Sequence, residues 1–529
     1  MKTNKLLLGL TLVVLISAPA ASAQEKLGQV HFPVSCSAAA QQEFDRGVAL
    51  LHSFWFDASA KAFAAVTQMD PGCAMGHWGE AMAILFNPNP FAGTPTPKGL
   101  QDGCPAVDRG KAAGPKTQRE RDYIAAVESL CQDQDKADQR ARVLAYEQTM
   151  ERLSNSYPED REAAIFYALA LNITASPADK TYANQLKAAG ILEQAFAEQP
   201  NHPGVAHYLI HSYDYPPIAS HGLSAARRYA GIAPAAPHAL HMPSHIFTRR
   251  GYWQESIDSN RASAAAAKNH FDQLHAMDYL AYAYLQMAQD LAAKRVLEEA
   301  LAIPKINVEN LVPGYALAAI PARYTLERRR WADAASLTLQ PSDFPWDRFP
   351  QAEAVLVFAR GLGAARSGKA TGARTDIARL EVLRGALEGA KLSYWAEQVE
   401  IQRQVTAAWV ARAEGKHQEA LQLMRAAADR EDATEKHPVT PGPIVPAREL
   451  LGEMLLELGD SRQALKEFET SHQVEPNRFK GLYGAARAAE LSGDLEKART
   501  YYAGLLVLCE KADTERPELK EAKAFLAKK

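Results

Sequence analysis

The chain has 529 residues, of which 47% are hydrophobic and 23% charged, with a formal net charge of -3 at pH 7. This length is too great for one compact core, although a solenoid escapes that limit because each repeat contacts only its neighbours. Loss of Lys2 and Lys5 with an N-terminal leader would lower the charge by two, to -5. That balance argues against a general nucleic-acid-binding surface.

The first 23 residues have the pattern of a secretory signal peptide. Two lysines precede an apolar run at 6–16, and Ala21-Ser22-Ala23 forms a small-x-small cleavage site. The run is too short to span a membrane, and no later segment is apolar enough to do so. We therefore predict a mature chain that starts near Gln24, is periplasmic or secreted, and does not insert into a membrane after cleavage.

Four of the five cysteines lie in the first quarter of the chain, and Cys509 stands apart from them. No pair has the CxxC spacing of a redox or zinc motif. In an oxidising compartment, four cysteines allow two disulfides in three connectivities. We favour Cys36 with Cys73 and Cys104 with Cys131, because each of these bonds closes a neighbouring segment.

Helical periodicity and proline-rich breaks divide the rest of the chain. The predicted parts are N-terminal repeats (24–86), a Pro- and Gly-rich insertion (87–116), a central helical solenoid (117–435), a Pro-rich linker (436–446), and C-terminal repeats with a capping helix (447–529). Gly47, Phe63 and Pro71 mark the first repeat, and Gly459 and Gly493 are 34 residues apart in the last two. Such a long insertion is either a functional lid or a passive excursion.

Histidines are concentrated between residues 201 and 282 and keep the same 34-residue period. The sets spaced by 34 residues are His207, His241 and His275; His211, His245 and Tyr279; and Asp214, Thr248 and Tyr282. A period of 34 residues is typical of helix-turn-helix repeats. Identical phase predicts that these side chains occupy equivalent places on stacked helices.

This register resembles that of tetratricopeptide repeat proteins over most of the mature chain. Residues 201–253 further resemble a family of exported bacterial repeat proteins with the motifs HPGxxHYxIHxYD and APHALHMPSHIF. The resemblance implies an all-α fold, a right-handed superhelical solenoid whose A helices turn places 2, 5, 9 and 12 toward a concave groove. With Pro203, Pro237 and Phe271 as place 1, the implied groove residues are His207, His211, Asp214, His238, His241, His245, Asp272, His275, Tyr279 and Tyr282.

Histidine spacing also predicts a metal site. Residues four apart share a helix face, so His207 pairs with His211 and His241 with His245. Packed helices lie about 8 to 10 Å apart, and two facing pairs supply three or four nitrogens for a divalent transition metal such as zinc, copper or iron. Asp214, Asp272 or Asp278 would orient a ligand or complete the coordination sphere. The alternative is that the HxxxH pairs arise by chance and the rings only hydrogen-bond within the stack.

A second cluster lies in the N-terminal repeats and contains His52, His77 and Glu80. His77 and Glu80 are three residues apart and share a helix face. If the superhelix curls enough, this face looks across the groove at the central histidines, with the insertion closing over both. Glu80 is then a candidate general base.

Three functional hypotheses follow. The first is an exported repeat protein whose His-, Tyr- and Asp-lined groove binds a peptide, a small molecule or a partner protein together with a metal ion. The second is a metal-dependent hydrolase or oxidoreductase at the same residues, with Asp214, Tyr279 or Glu80 as catalytic candidates. The third is a metal-free interaction scaffold. The sequence lacks a GxSxG elbow, an HExxH motif and a dinucleotide fingerprint, so it names no reaction.

Overall fold

The computed structural model describes residues 25–91, 95–132 and 138–528, so the predicted signal peptide lies outside the described residues. The helices of the first half are α1 (Ala38–His52), α2 (Phe56–Met69), α3 (Ala74–Leu85), α4 (Pro97–Ala112), α5 (Gln118–Cys131), α6 (Gln139–Ser156), α7 (Arg161–Thr174), α8 (Ala183–Glu198), α9 (Pro203–Tyr213), α10 (Leu223–Ile232), α11 (Pro237–His241), α12 (Pro243–Arg249) and α13 (Trp253–Ala266). Those of the second half are α14 (His270–Gln286), α15 (Asp290–Leu301), α16 (Leu311–Leu326), α17 (Trp331–Ala334), α18 (Pro350–Arg366), α19 (Ala370–Gly389), α20 (Ser393–Ala413), α21 (His417–Asp432), α22 (Ala447–Glu457), α23 (Ser461–Val474), α24 (Phe479–Ser492), α25 (Leu495–Leu508) and α26 (Pro517–Ala527).

Helices that follow one another pack in pairs, and alternate helices also stack, as α14 does on α16 and α16 on α18. The described residues contain no β-strand. The predicted fold class, an all-α solenoid of helix-turn-helix units, is therefore confirmed. None of the described helices has both the length and the hydropathy that a bilayer crossing requires.

Close approach of neighbouring helices depends on glycines that face an aromatic ring. A Cβ atom on Gly79 would lie 2.3 Å from the ring of Phe63, and one on Gly484 would lie 2.3 Å from the ring of Phe468. Because real Cβ atoms do not approach so closely, a side chain at either glycine would push the helices apart. The same pairing of a glycine with an aromatic ring occurs near both ends of the solenoid, so the helices at the two ends pack in the same way.

The 87–116 segment, predicted as a Pro- and Gly-rich insertion, contains the helix α4. Thr96 caps α4 by accepting from the Gly99 amide, and Pro97 occupies the first turn, where a missing N–H costs nothing. Pro105 lies inside the helix. Proline and glycine usually end helices, whereas here one proline starts the helix and the other is accommodated within it.

Two disulfides close the N-terminal part, and both match the predicted pairing. Cys36 bonds Cys73 and Cys104 bonds Cys131, with Cα atoms 5.1 and 5.8 Å apart. Loops of this length give on the order of 3 to 4 kcal/mol of stabilisation per bond in the chain-entropy account. Cys509 is buried and has no disulfide partner.

The chain curls so that distant helices meet. One large hydrophobic cluster includes residues from Phe32 to Phe247, and a second includes residues from Trp253 to Phe525. The Pro-rich 436–446 segment lies in the interior, because Arg323 donates to the hydroxyl of Thr440 and to the carbonyls of Gly442 and Pro443. The central histidines lie where the two hydrophobic clusters adjoin.

Candidate metal centre

Four helices carry the central histidines. α9 contributes His207 and His211, α11 and α12 together contribute His238, His241 and His245, and α14 contributes His275. Proline stands at the start of α9, α11 and α12, where its fixed φ favours the first helical turn. The spacing of four residues places His207 and His211 on one face of α9, whereas His241 ends α11 and His245 lies in the first turn of α12.

The six rings form two groups of three, in each of which the ligand-capable atoms lie within 4.8 Å of one another. We call them group A (His207, His211 and His238) and group B (His241, His245 and His275). The four residues predicted to hold one ion are therefore divided as two pairs, and each pair acquires a third histidine that the sequence analysis had assigned only to the groove. All six residues are at most 7% exposed, so the predicted groove is closed over at this place.

Group B brings two nitrogen lone pairs face to face. The His241 Nδ1–H donates to Asn260 Oδ1 at 2.6 Å, and the His245 Nδ1–H donates to Asp214 Oδ2 at 2.8 Å. Asn260 is oriented because its Nδ2 donates to the Ser256 carbonyl. With both Nδ1 atoms protonated, neither neutral ring carries a hydrogen on Nε2, yet the two Nε2 atoms are 3.0 Å apart. A cation between them removes this repulsion.

Group A also has two Nε2 atoms close together, although only the His207 tautomer is fixed by a hydrogen bond. The His207 Nδ1–H donates to the His52 carbonyl oxygen at 2.6 Å, which leaves the His207 Nε2 as a lone pair. That atom is 3.1 Å from the His211 Nε2. Tetrahedral ligands at 2.0 to 2.1 Å from an ion are about 3.3 Å apart, so both HxxxH pairs are close to ligand spacing.

The third histidine of each group has an unused buried nitrogen. Within the part of the chain that the structure describes, His238 Nε2 and His275 Nδ1 have no hydrogen-bond partner. Buried polar atoms are nearly always paired, and an unpaired one costs about 1 to 3 kcal/mol. Two such atoms beside the HxxxH pairs indicate positions that a bound ion would satisfy.

Burial keeps these rings neutral, as metal ligands must be. Removal from water, followed by the charges of neighbouring histidines, holds the pKa of His207, His211, His238 and His275 well below the usual value. Burial and His245 likewise hold the pKa of His241 well below that value. Burial also lowers the pKa of His245, although Asp214 opposes the shift.

Asp214 is the charged residue that orients group B. Besides accepting from His245, it accepts from Arg249 Nε at 3.0 Å and from Lys436 Nζ at 2.6 Å. Burial opposes ionisation, but Lys436, Arg249 and His245 together hold the pKa of this carboxyl well below its usual range. A carboxylate that accepts the second ring N–H of a ligand histidine is a common feature around protein-bound metals.

A small cavity of about 20 Å³ adjoins both groups. His211 and His238 of group A and His245 and His275 of group B are among its lining residues. Phe91 also lines the cavity, and its ring lies 4.3 Å from that of His211. The 87–116 and 436–446 segments both contribute to the wall, through Phe91 and through His437, Pro438 and Val439.

A third group, His52, Glu162 and His202, also has ligand spacing, but its hydrogen bonds are complete. Glu162 accepts from the Nε2 of His52 at 2.9 Å and from the Nε2 of His202 at 2.8 Å. The Nδ1 atoms accept from the Tyr208 hydroxyl and from the Val205 amide. Burial opposes the charge on Glu162, yet the two histidines lower its pKa strongly. This group needs no ion to satisfy its polar atoms.

The remaining predicted residues lie in different surroundings. Glu80 accepts from Arg109 at 3.1 Å and lies 3.0 Å from His77 Nδ1, outside groups A and B. The Tyr279 hydroxyl is 3.4 Å from His245 Nε2 and donates to the Thr440 carbonyl at 3.2 Å.

Two further predicted groove residues also lie outside groups A and B. Burial raises the pKa of Asp272 to about 6. Tyr282 accepts from Arg478 at 2.6 Å, so it belongs to an ion-pair cluster. Sequence spacing gave no signal for Asn260 or Lys436, which contact the site from 19 and 222 residues away.

A larger cavity of about 460 Å³ is lined in part by the 436–446 segment. Tyr394 and Trp395 supply aromatic surface, while Arg249 and Lys436 supply positive charge beside Asp214. This volume is typical of small-molecule sites. A ligand in this cavity would touch the same cations that hold Asp214 in place.

Glu431 lines this larger cavity and makes stability depend on pH. Burial raises its pKa to about 8, and its Oε1 accepts from the Ala447 amide. Because the folded pKa is raised, stability falls as pH rises from about 4.5 to 8. Glu431→Gln keeps the acceptor and should raise the free energy of unfolding at pH 8 by on the order of 2 kcal/mol, since the side chain is only partly buried. Urea unfolding at pH 4 and pH 8 checks this, and an equal gain at both values would contradict it.

No protein-family model and no curated protein sequence matches the chain. Solved structures to which it is similar include the P58(IPK) TPR domain, at 11% identity and a TM-score of 0.21, covering 93% of this chain and 100% of that one. The APC/C hetero-tetramer Cut9-Hcn1 shows 10% identity and a TM-score of 0.30, with 92% and 95% covered. Naa15/Naa10 bound to HypK-THB shows 12% identity and a TM-score of 0.25, with 92% and 72% covered. The helical-repeat architecture is therefore inferred from the helices of this chain alone. Membership of the exported family remains a prediction.

Proposed function

We propose that the protein binds two transition-metal ions, one at group A and one at group B. The observation that carries the proposal is the pair of facing lone pairs in group B, because the second nitrogen of each ring is already a donor. Zinc, copper and iron all accept imidazole ligands. The metal-free alternative leaves His238 Nε2 and His275 Nδ1 buried without a partner.

The proposal includes export of the protein. Disulfides persist in oxidising compartments, and the two bonds of the N-terminal part support a periplasmic or secreted location. In such a compartment the site would be loaded outside the cytoplasm. The larger cavity supports a small molecule as the ligand class that accompanies the metal, because Tyr394, Trp395, Arg249 and Lys436 combine aromatic surface with charge.

Elemental analysis of protein expressed through its own export route tests the proposal. We expect two transition-metal ions per chain in the wild type. His207→Ala/His245→Ala removes one ligand from each group and should strip both ions, since two imidazoles hold a divalent metal far less tightly than three.

The matched control is His221→Ala/His417→Ala, which replaces two exposed histidines and should keep both ions. Circular dichroism establishes that each variant is folded, and His207→Gln/His245→Gln serves where the alanine variant is not. Metal content unaffected by the loss of His207 and His245 would eliminate the proposal.

A further inference from the structure

The small cavity beside the histidines belongs to both groups at once. His211 and His238 line it from group A, and His245 and His275 line it from group B. The ring centroids of His211 and His245 are 6.0 Å apart, as are those of His238 and His241. Whatever occupies this space therefore lies against ligands of both ions.

Its size suits a small ligand. The volume is about 20 Å³, whereas a cavity needs about 10 to 15 Å³ to hold one water. Phe91, Met242 and Val439 make much of the remaining wall apolar. A single oxygen atom fits in this space.

Each ion has a coordination position left for such a ligand. Three imidazoles are the protein ligands of zinc sites that keep the fourth position open. His238 Nε2 and His275 Nδ1, the two unpartnered nitrogens, belong to residues that line this cavity. Each group therefore has a residue with an unpartnered nitrogen beside the space that the groups share.

The charge of the two-ion centre favours an anionic ligand. Six neutral imidazoles add no negative charge to two divalent ions. Asp214 is hydrogen-bonded to His245, but it also pairs with Arg249 and Lys436. One carboxylate shared by two protein cations leaves the centre strongly positive, and a bound metal readily converts water to hydroxide.

We infer that the two ions share one small oxygen anion, a hydroxide, held in the cavity between groups A and B. This inference rests on the proposed function, because it requires both ions. It goes further because it combines the two metal sites into a single two-metal centre. In such a centre a metal-bound hydroxide is a nucleophile at neutral pH.

Copper loading of the full mature chain tests the inference. Two Cu²⁺ ions that share an oxygen ligand pair their spins, so the protein should hold two copper ions per chain and give an electron paramagnetic resonance intensity at least fivefold below that of two isolated ions. His207→Ala/His238→Ala empties group A, and the single remaining copper should give full intensity.

A second variant leaves every ligand in place. Val439→Phe fills the cavity from its apolar side, so it should keep two copper ions but raise the resonance intensity at least fivefold. Val445→Phe, at the larger cavity, is the control and should stay silent. Two copper ions at full intensity in the wild type, or a silent Val439→Phe variant with both ions, would overturn the shared ligand while leaving metal binding intact. A wild type that takes up no transition metal would instead refute the proposed function.

Discussion

Asp214→Asn should weaken metal binding at group B by about 10- to 100-fold, the usual effect of altering a residue that orients a metal ligand. Asparagine can still accept from the His245 Nδ1–H, but it removes the negative charge that makes this imidazole a stronger ligand. It also leaves Arg249 and Lys436 buried without their carboxylate. Competition with a chromophoric chelator measures the affinity at each group, and group A should keep its wild-type value.

Asp278→Asn is the matched control for Asp214→Asn. Asp278 is also a buried aspartate paired with an arginine, since it accepts from Arg323 Nε at 2.9 Å, but no described histidine hydrogen-bonds to it. Both variants should destabilise the fold, because each removes the carboxylate nearest to a buried arginine. Only Asp214→Asn should change the metal affinity. Equal affinity losses in the two variants would show that the effect comes from general loosening of the fold.

The periodicity of the sequence predicted the helical-repeat architecture well because each repeat packs against neighbours that are built in the same way. Each unit must present the same small and aromatic positions to its neighbours, so Gly47 and Phe63 in the first repeat could be recognised in the sequence, and they pack against each other in the structure. The 34-residue register likewise placed His207, His241 and His275 on equivalent faces. Registers of this kind fix which side of a helix faces inward.

The same register could not fix which atoms meet. His238 of α11 joined the pair on α9, and His275 of α14 joined the pair on α11 and α12. Tyr282, three residues beyond Tyr279, turned away from the histidines toward Arg478. Lys436 reached Asp214 from a loop 222 residues later, a contact that depends on how far the whole solenoid curls.

Arg478→Met should lower the free energy of unfolding by about 3 to 5 kcal/mol, because it removes one partner from a fully buried ion-pair cluster. Arg478 donates to Glu327 at 2.5 Å, to Glu449 at 2.8 Å and to the Tyr282 hydroxyl at 2.6 Å. The arginine and Glu327 are 0% exposed, and Glu449 is 2% exposed. Methionine keeps most of the volume, so the cost arises from two carboxylates left without their cation. Urea denaturation followed by tyrosine and tryptophan fluorescence measures it.

Arg487→Met is the surface counterpart of Arg478→Met. Arg487 is 39% exposed and pairs with Glu490 one helical turn away, so its loss should change the free energy of unfolding by less than about 1 kcal/mol. Tyr282 lies on α14 together with His275. The Arg478→Met variant therefore also tests whether the C-terminal helices stabilise the proposed metal centre. If Arg478→Met lowers stability without releasing metal from group B, the two regions unfold as separate units. Loss of metal in step with unfolding would show that the curled solenoid behaves as one cooperative body.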